Sequence, residues 1–303
     1  MNPFRAPNSE HSGYSSPLNP CSFAEHEQYY APVDETKVAF DKYNHFLNSF
    51  LNMPKRHAVL FHGETGCGKT SLMNRCLKVI TDNNWQLDGD KLTPYIIDIR
   101  TESLVAMSAE QKVNAVLDHI HDTLDEKQIS SELYKNFGEQ LGKDTNIVIK
   151  FLERQMNRYK RLLVILFPDI STTEDIKEYM KYFYRSNWVL YFESEDLSIV
   201  QYCKRHHRTT SSSPVQCLEV KPLRETDGKL FVENRLSLLH SNNVIFEVEA
   251  LERYLTSTLD RGGASIREFE VICEKAYSNA LSTNKDMICF GDIAEAAISI
   301  LQI

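Results

Sequence analysis

The spacing of apolar residues changes several times along the chain. Val38, Phe40, Tyr43, Phe46, Leu47, Phe50 and Leu51 recur at helical steps, which predicts an amphipathic helix from Val33 onward. The run Ala58-Val59-Leu60-Phe61 then predicts a strand over 57–61, with a helix expected over 69–80. A second strand is expected at 95–99. It precedes Ser108-Ala109-Glu110-Gln111, a reciprocal start signal for a helix to about Leu124. Helical spacing returns between Asn146 and Tyr159, and the unbroken apolar run Leu162 to Phe167 predicts a strand buried on both faces. Ser171-Thr172-Thr173-Glu174 reads as a capping box for a helix to about Phe183, and strands are expected at 188–192 and 215–220. Strands alternating with helices imply an α/β body, a parallel five-stranded sheet sandwiched by helices.

After Lys221-Pro222 the strand signals stop, and residues 226–240, 247–259, 265–281 and 291–301 read as four helices. The Pro-, Ser- and Asn-rich start predicts an extended or poorly ordered leader without a helix over about the first 24 residues. The expected division is therefore a leader over 1–35, an α/β body over 36–221 and an all-helical appendage over 222–303.

Composition narrows the classes. The 303 residues carry a net charge of -8, which weighs against blanket attraction to phosphate backbones. Seven scattered cysteines without a C-x-x-C pair suit a reduced, cytoplasmic setting. The longest apolar run is far too short to span a bilayer, so no membrane partner is expected.

The stretch Gly63-Glu64-Thr65-Gly66-Cys67-Gly68-Lys69-Thr70-Ser71 satisfies G-x-x-x-x-G-K-[ST] between a predicted strand and a predicted helix. Glycines there let backbone N–H groups curl around phosphates, and the helix N-terminus adds positive partial charge. Lys69 would reach the β- and γ-phosphates and the Thr70 hydroxyl would ligate Mg²⁺. ATP with Mg²⁺ is the expected cofactor, and Cys67 reads as a small filler.

Such a loop needs a carboxylate at a neighbouring strand end to hold the metal. Asp169 follows the strand Leu162 to Phe167 and is the candidate metal-side acid. Where a second, catalytic acid is expected, Ile170 stands instead. If the strand is read shorter, Leu166-Phe167 occupy the acidic pair and Asp169 is a loop residue. Glu174 or Glu193 could substitute. Glu193 and Ser194 leave the fourth strand either beside the phosphates or as an ordinary strand exit.

Two cationic features remain. The stretch Cys203 to Pro214 is a solvated basic loop, or it presents Arg205 or Arg208 to a nucleotide on a neighbouring subunit. Gly262-Gly263 followed by Ser265-Ile266-Arg267-Glu268 places Arg267 in the first turn of a helix, against the dipole's preference for acids. It either touches phosphate or pairs with Glu268 or Glu270.

With these motifs in place the chain resembles AAA+ P-loop ATPases, of the origin-recognition-type, signal-transduction and transposition-associated groups. The complete glycine loop carries most of the resemblance. Asn2-Pro3-Phe4 with Tyr29-Tyr30-Ala31-Pro32 is similar to leaders that wrap the adenine side, Gly262-Gly263 to Arg267 to the second sensor motif, and Phe290-Gly291-Asp292-Ile293 to the last lid helix. The resemblance implies strand order 5-1-4-3-2, Glu193-Ser194 at the first sensor position, Arg267 as the lid arginine, and an all-helical lid. It also implies a homo-oligomer acting on a partner protein as a nucleotide-dependent switch or regulator. The missing acidic doublet puts fast hydrolysis in doubt. A DNA-associated loader or transposition regulator is the alternative, less favoured by the acidic charge; a pseudo-ATPase scaffold is another.

Overall fold

The computed structural model describes residues 2–7, 16–50, 56–87, 90–102, 104, 106–126, 131–206, 215–239 and 244–301. Two compact units divide the chain. One comprises Tyr43–His62 with Ile80–Leu218; the other comprises Met1–Lys42, Gly63–Val79 and Glu219–Ile303.

The first unit is built on a sheet of β1 (His57–His62), β2 (Trp85–Leu87), β3 (Asp90–Asp98), β4 (Arg161–Leu166), β5 (Trp188–Ser194) and β6 (Val215–Glu219). Its order is β2-β3-β4-β5-β1-β6. Numbered as the five expected strands, this reads 5-1-4-3-2, with β2 added at the far edge. The ladders β3–β4, β4–β5 and β5–β1 are parallel, whereas the short β2 runs antiparallel to β3. Central strands bury nearly every side chain, as the apolar runs at their centres demand.

Helices α1 (Asp34–Phe50), α2 (Lys69–Asp82), α3 (Ala109–Glu126), α5 (Thr145–Arg158) and α6 (Thr173–Phe183) meet their expectations. Two others, α4 (Ser131–Gly138) and α7 (Leu197–His206), occupy stretches without an expected helix. The start signal of α3 is a true capping box: Gln111 N–H donates to Ser108 Oγ at 3.3 Å, and Ser108 N–H to Gln111 Oε1 at 2.9 Å. That of α6 shifts by one residue, because Thr172 is the cap and accepts from Asp175 N–H at 3.2 Å.

The core on one face of this sheet centres on aromatic side chains. Phe167 stacks within 4.4 Å of Tyr179 and 4.7 Å of Phe192. Such pairs contribute about 1 kcal/mol each beyond their burial. A buried ion pair, Lys112 Nζ to Asp175 Oδ1 and Oδ2 at 2.9 and 2.8 Å, ties α3 to α6. No helix among the described residues is long and apolar enough to cross a membrane.

The second unit contains α8 (Asp227–Leu236), α9 (Val248–Thr258), α10 (Ile266–Ser282) and α11 (Phe290–Leu301), the four expected helices. The appendage is not purely helical, however: β7 (Ile245–Phe246) and β8 (Met287–Ile288) form a two-residue parallel ladder. Leader residues belong to its core. Phe4 is fully buried, with ring centroids 5.6 Å from Phe246 and 5.9 Å from Tyr277. Arg235 is also buried, donating to Glu270 Oε1 at 2.9 Å and to the Tyr29 carbonyl.

Candidate nucleotide site

The glycine loop connects β1 to α2, and its glycines are required by geometry. Gly63, Gly66 and Gly68 have φ of 155°, 82° and 92°. A Cβ on Gly63 would fall inside the Val220 carbonyl oxygen, and one on Gly66 would lie 2.8 Å from Ser265 Oγ. Lys69 is 7% exposed; its ammonium donates to the carbonyls of Gly63 at 2.8 Å and Glu64 at 3.1 Å. Cys67 is fully buried, as a filler must be, while Glu64 and Thr65 are exposed and Thr70 is half-buried. Helix α2 closes its first bond from Leu72 N–H to Gly68 carbonyl at 2.9 Å.

The helical appendage meets this loop through the N-terminus of α10. Ser265 caps that helix, accepting from Glu268 N–H at 3.1 Å, as the sequence predicts. Arg267 N–H donates to the Gly66 carbonyl at 3.2 Å, and Ile266 Cδ1 would stand 3.4 Å from a Cβ on Gly68. Two helix N-termini thus converge on one glycine loop, and their partial positive charges add. The pairing alternatives for Arg267 are taken elsewhere: Glu268 pairs with Arg261 at 2.8 Å and Glu270 with Arg235. Among the described residues the Arg267 guanidinium makes no hydrogen bond or ion pair.

The leader braces the same elements. Leu18 N–H donates to Ser71 Oγ at 3.0 Å, which commits that hydroxyl oxygen, and Tyr30 Oη donates to the Ser71 carbonyl at 2.6 Å. Burial, then the nearby Glu27 carboxylate, pushes the Tyr30 phenol well above its usual range, so it stays a donor. Arg75 of α2 is clamped between the rings of Phe40 and Tyr30, at 4.1 and 4.7 Å, and pairs with Glu27 at 2.8 Å. Arg5 reaches Glu274 of α10 at 2.6 Å. Reading the sequence alone missed Arg75, Ser71's leader contact and Val220. Helical spacing from Lys69 placed Arg75 on α2, but only the fold brings Tyr30 and Phe40 to it.

In the sheet unit, the ends of β4 and β5 are knit together. Phe167 N–H donates to the Tyr191 carbonyl at 2.9 Å and Ile170 N–H to the Glu193 carbonyl at 2.8 Å. The fully buried Ser194 Oγ donates to the Ile170 carbonyl at 2.8 Å and accepts from Asp196 N–H at 3.1 Å. Its proton is therefore spent on the backbone. Asp169 is exposed, Ile170 is packed in the core, and Glu193 is half-buried. Glu174 pairs on the surface with Lys177 at 3.0 Å, and that bond lowers its carboxyl pKa. Arg205 is exposed in the last turn of α7; Arg208 lies outside the described residues. Among the described residues no cluster of three His, Cys, Asp or Glu could hold a metal.

The fold is shared with origin-recognition-type AAA+ ATPases. The Aeropyrum pernix ORC2 protein superposes with TM-score 0.57 at 17% identity, over 87% of this chain and 67% of that one. Cdc6p from Pyrobaculum aerophilum gives 0.58 at 10% identity, over 89% and 69%. The Drosophila ORC bound to DNA gives 0.56 at 14%, over 91% and 64%. The chain thus spans about two thirds of these proteins. No curated protein matches its sequence. Residues 40–196, which run from α1 through the glycine loop to the end of β5, match the family model iSTAND, described as inactive STAND. That match covers more than half of the chain and takes in the complete glycine loop together with the strand end that lacks an acidic doublet, and the chain therefore belongs to the iSTAND family.

Proposed function

We propose that the chain is an AAA+-type nucleotide switch that holds ATP, hydrolyses it slowly if at all, and changes assembly or shape to act on a partner protein. The observation that carries this reading is the bond from Arg267 N–H to the Gly66 carbonyl. It makes the lid sense the phosphate loop directly, so that filling the loop changes contacts at the first turn of α10. A ligand shifts a conformational equilibrium only through such differential contacts.

The residues present fit the nucleotide. Two helix N-termini, Lys69 and the open Arg267 guanidinium supply the positive charge a triphosphate needs. Lys69 would hold the β- and γ-phosphates and Arg267 would meet them from the lid. Mg²⁺ takes most of its ligands from phosphate and water. The Thr70 hydroxyl would be one protein ligand, and Asp169 is the candidate acid from its sequence position after β4. Bound Mg²⁺ would neutralise phosphate charge.

Slow hydrolysis is the reading from the sequence, in which neither Asp169-Ile170 nor Leu166-Phe167 supplies an acidic doublet after β4; the family's description as inactive agrees. Arg205 on α7 is the candidate for a contact in trans, and the free thiols suit the cytoplasm. Turnover measured beside light scattering tests the proposal. ATP with Mg²⁺ is expected to raise the scattering mass while turnover stays below about 1 s⁻¹. Arg205→Ala should abolish the mass change yet leave nucleotide affinity of the dilute chain intact. Fast turnover, or lost affinity in the dilute variant, contradicts the reading.

A further inference from the structure

Two thiols meet where α7 packs on the edge of the sheet. Val215 and Cys217 stand two residues apart in β6, so they share one face of that strand, and β6 ends the sheet among the described residues. The core under α7 contains Val215 with the stripe Ile199, Val200 and Cys203, and half-buried Cys217 packs against it. Cys203 is 1% exposed. Its thiol donates to the Cys217 sulfur, so the two sulfurs are in contact while both cysteines are free.

The two sulfurs are not equivalent. The hydrogen bond from Cys203 lowers the Cys217 pKa; burial opposes that shift, and the nearby Lys204 ammonium adds to it. The same hydrogen bond, followed by burial, pushes the Cys203 thiol far up, so its proton stays in place. Thiolate character and access to solvent decide which sulfur an oxidant attacks, and both favour Cys217. Cys203 then supplies the second thiol beside it. Cys76 and Cys273 differ: they are fully buried, and burial pushes both well up, as in inert packing cysteines.

We propose that Cys217 and Cys203 form a reversible redox-modification site, in which a hydroperoxide oxidises Cys217 and Cys203 resolves the product to a disulfide. The Cys217 thiolate attacks the terminal oxygen of the hydroperoxide; an S–O bond forms, the O–O bond breaks, and the leaving oxygen is protonated by solvent. The Cys203 sulfur next attacks the Cys217 sulfenic acid. An S–S bond forms, the S–O bond breaks, and the hydroxyl leaves as water with the Cys203 proton. The two cysteines together lose two electrons, which reduce one hydroperoxide to its alcohol and water. A dithiol reductant reverses the bond by exchange. The closed ring spans 203–217 and ties α7, which carries Arg205, to β6.

A Cys21→Ser/Cys289→Ser background removes the two exposed thiols. Peptide mapping of that chain after hydrogen peroxide is expected to show a Cys203–Cys217 disulfide that dithiothreitol reverses. Cys203→Ser keeps a hydroxyl donor but removes the resolving sulfur, so Cys217 should accumulate as a sulfenic acid that dimedone captures. Cys217→Ser should leave Cys203 unlabelled. In the reduced chain, alkylation of Cys217 by iodoacetamide should have its pH midpoint below the ordinary thiol value of about 8.5, and Cys203→Ala should raise that midpoint. The peroxide mapping and the alkylation profile need no change in the core. No disulfide between the two cysteines, a disulfide that forms only once circular dichroism shows the fold lost, dimedone capture on Cys203 in Cys217→Ser, or an alkylation midpoint at or above the ordinary value would overturn the proposal.

Discussion

Gly63→Ala is expected to destabilise the protein by about 3 kcal/mol or more, lowering the melting temperature by roughly 6 °C or more. The added methyl meets the backbone carbonyl of Val220, which cannot rotate away as a side chain would. Gly142→Ala separates this clash from backbone strain. Gly142 has a φ of 85° but nothing within 4 Å of its Cβ position, so its cost should stay near 1 kcal/mol. Thermal unfolding of both variants checks the contrast. Equal shifts would mean that strain, not the approach of Val220, demands glycine at 63.

Arg235→Met is expected to cost about 3 kcal/mol or more, because it leaves the Glu270 carboxylate buried without its cation and frees the Tyr29 carbonyl as well. Removing both charges, as Arg235→Met/Glu270→Leu, should recover much of that loss, since an apolar pair of similar volume carries no desolvation penalty. Urea unfolding of the two variants measures the difference. A double variant no more stable than the single would show that Arg235 acts through its stacking on Tyr29 and Phe231 rather than through charge.

The parts legible in the sequence are those where local chemistry and tertiary need coincide. Leu162 to Phe167 is apolar at every position because the strand is covered on both faces, and the glycine loop is legible because only glycine adopts its backbone. Ser265 announces α10 through a cap made within four residues. The failures are equally physical. Helix α7 was concealed by its basic C-terminal turn, although Asp196 accepts from Ser198 N–H at 2.7 Å to start it and Ile199, Val200 and Cys203 form a buried stripe. The β7–β8 ladder and the edge strand β2 are too short to show periodicity. Arg267 was legible as a cation at a helix start, but the pairing of Glu268 and Glu270 with other arginines needed the fold. Contacts from the leader to Ser71 and Arg75 join residues some fifty positions apart, which no local pattern records.

In the proposed function the loop opening at Gly63 grips a triphosphate and the first turn of α10 responds. Calorimetric titration of ATP with Mg²⁺ into the wild-type chain, Lys69→Ala and Arg267→Ala tests it most directly. One site per chain, no measurable heat of binding for Lys69→Ala, and affinity for Arg267→Ala reduced roughly tenfold or more are expected. Affinity unchanged by Lys69→Ala, or a wild-type chain that takes up no nucleotide at millimolar ATP, would contradict it.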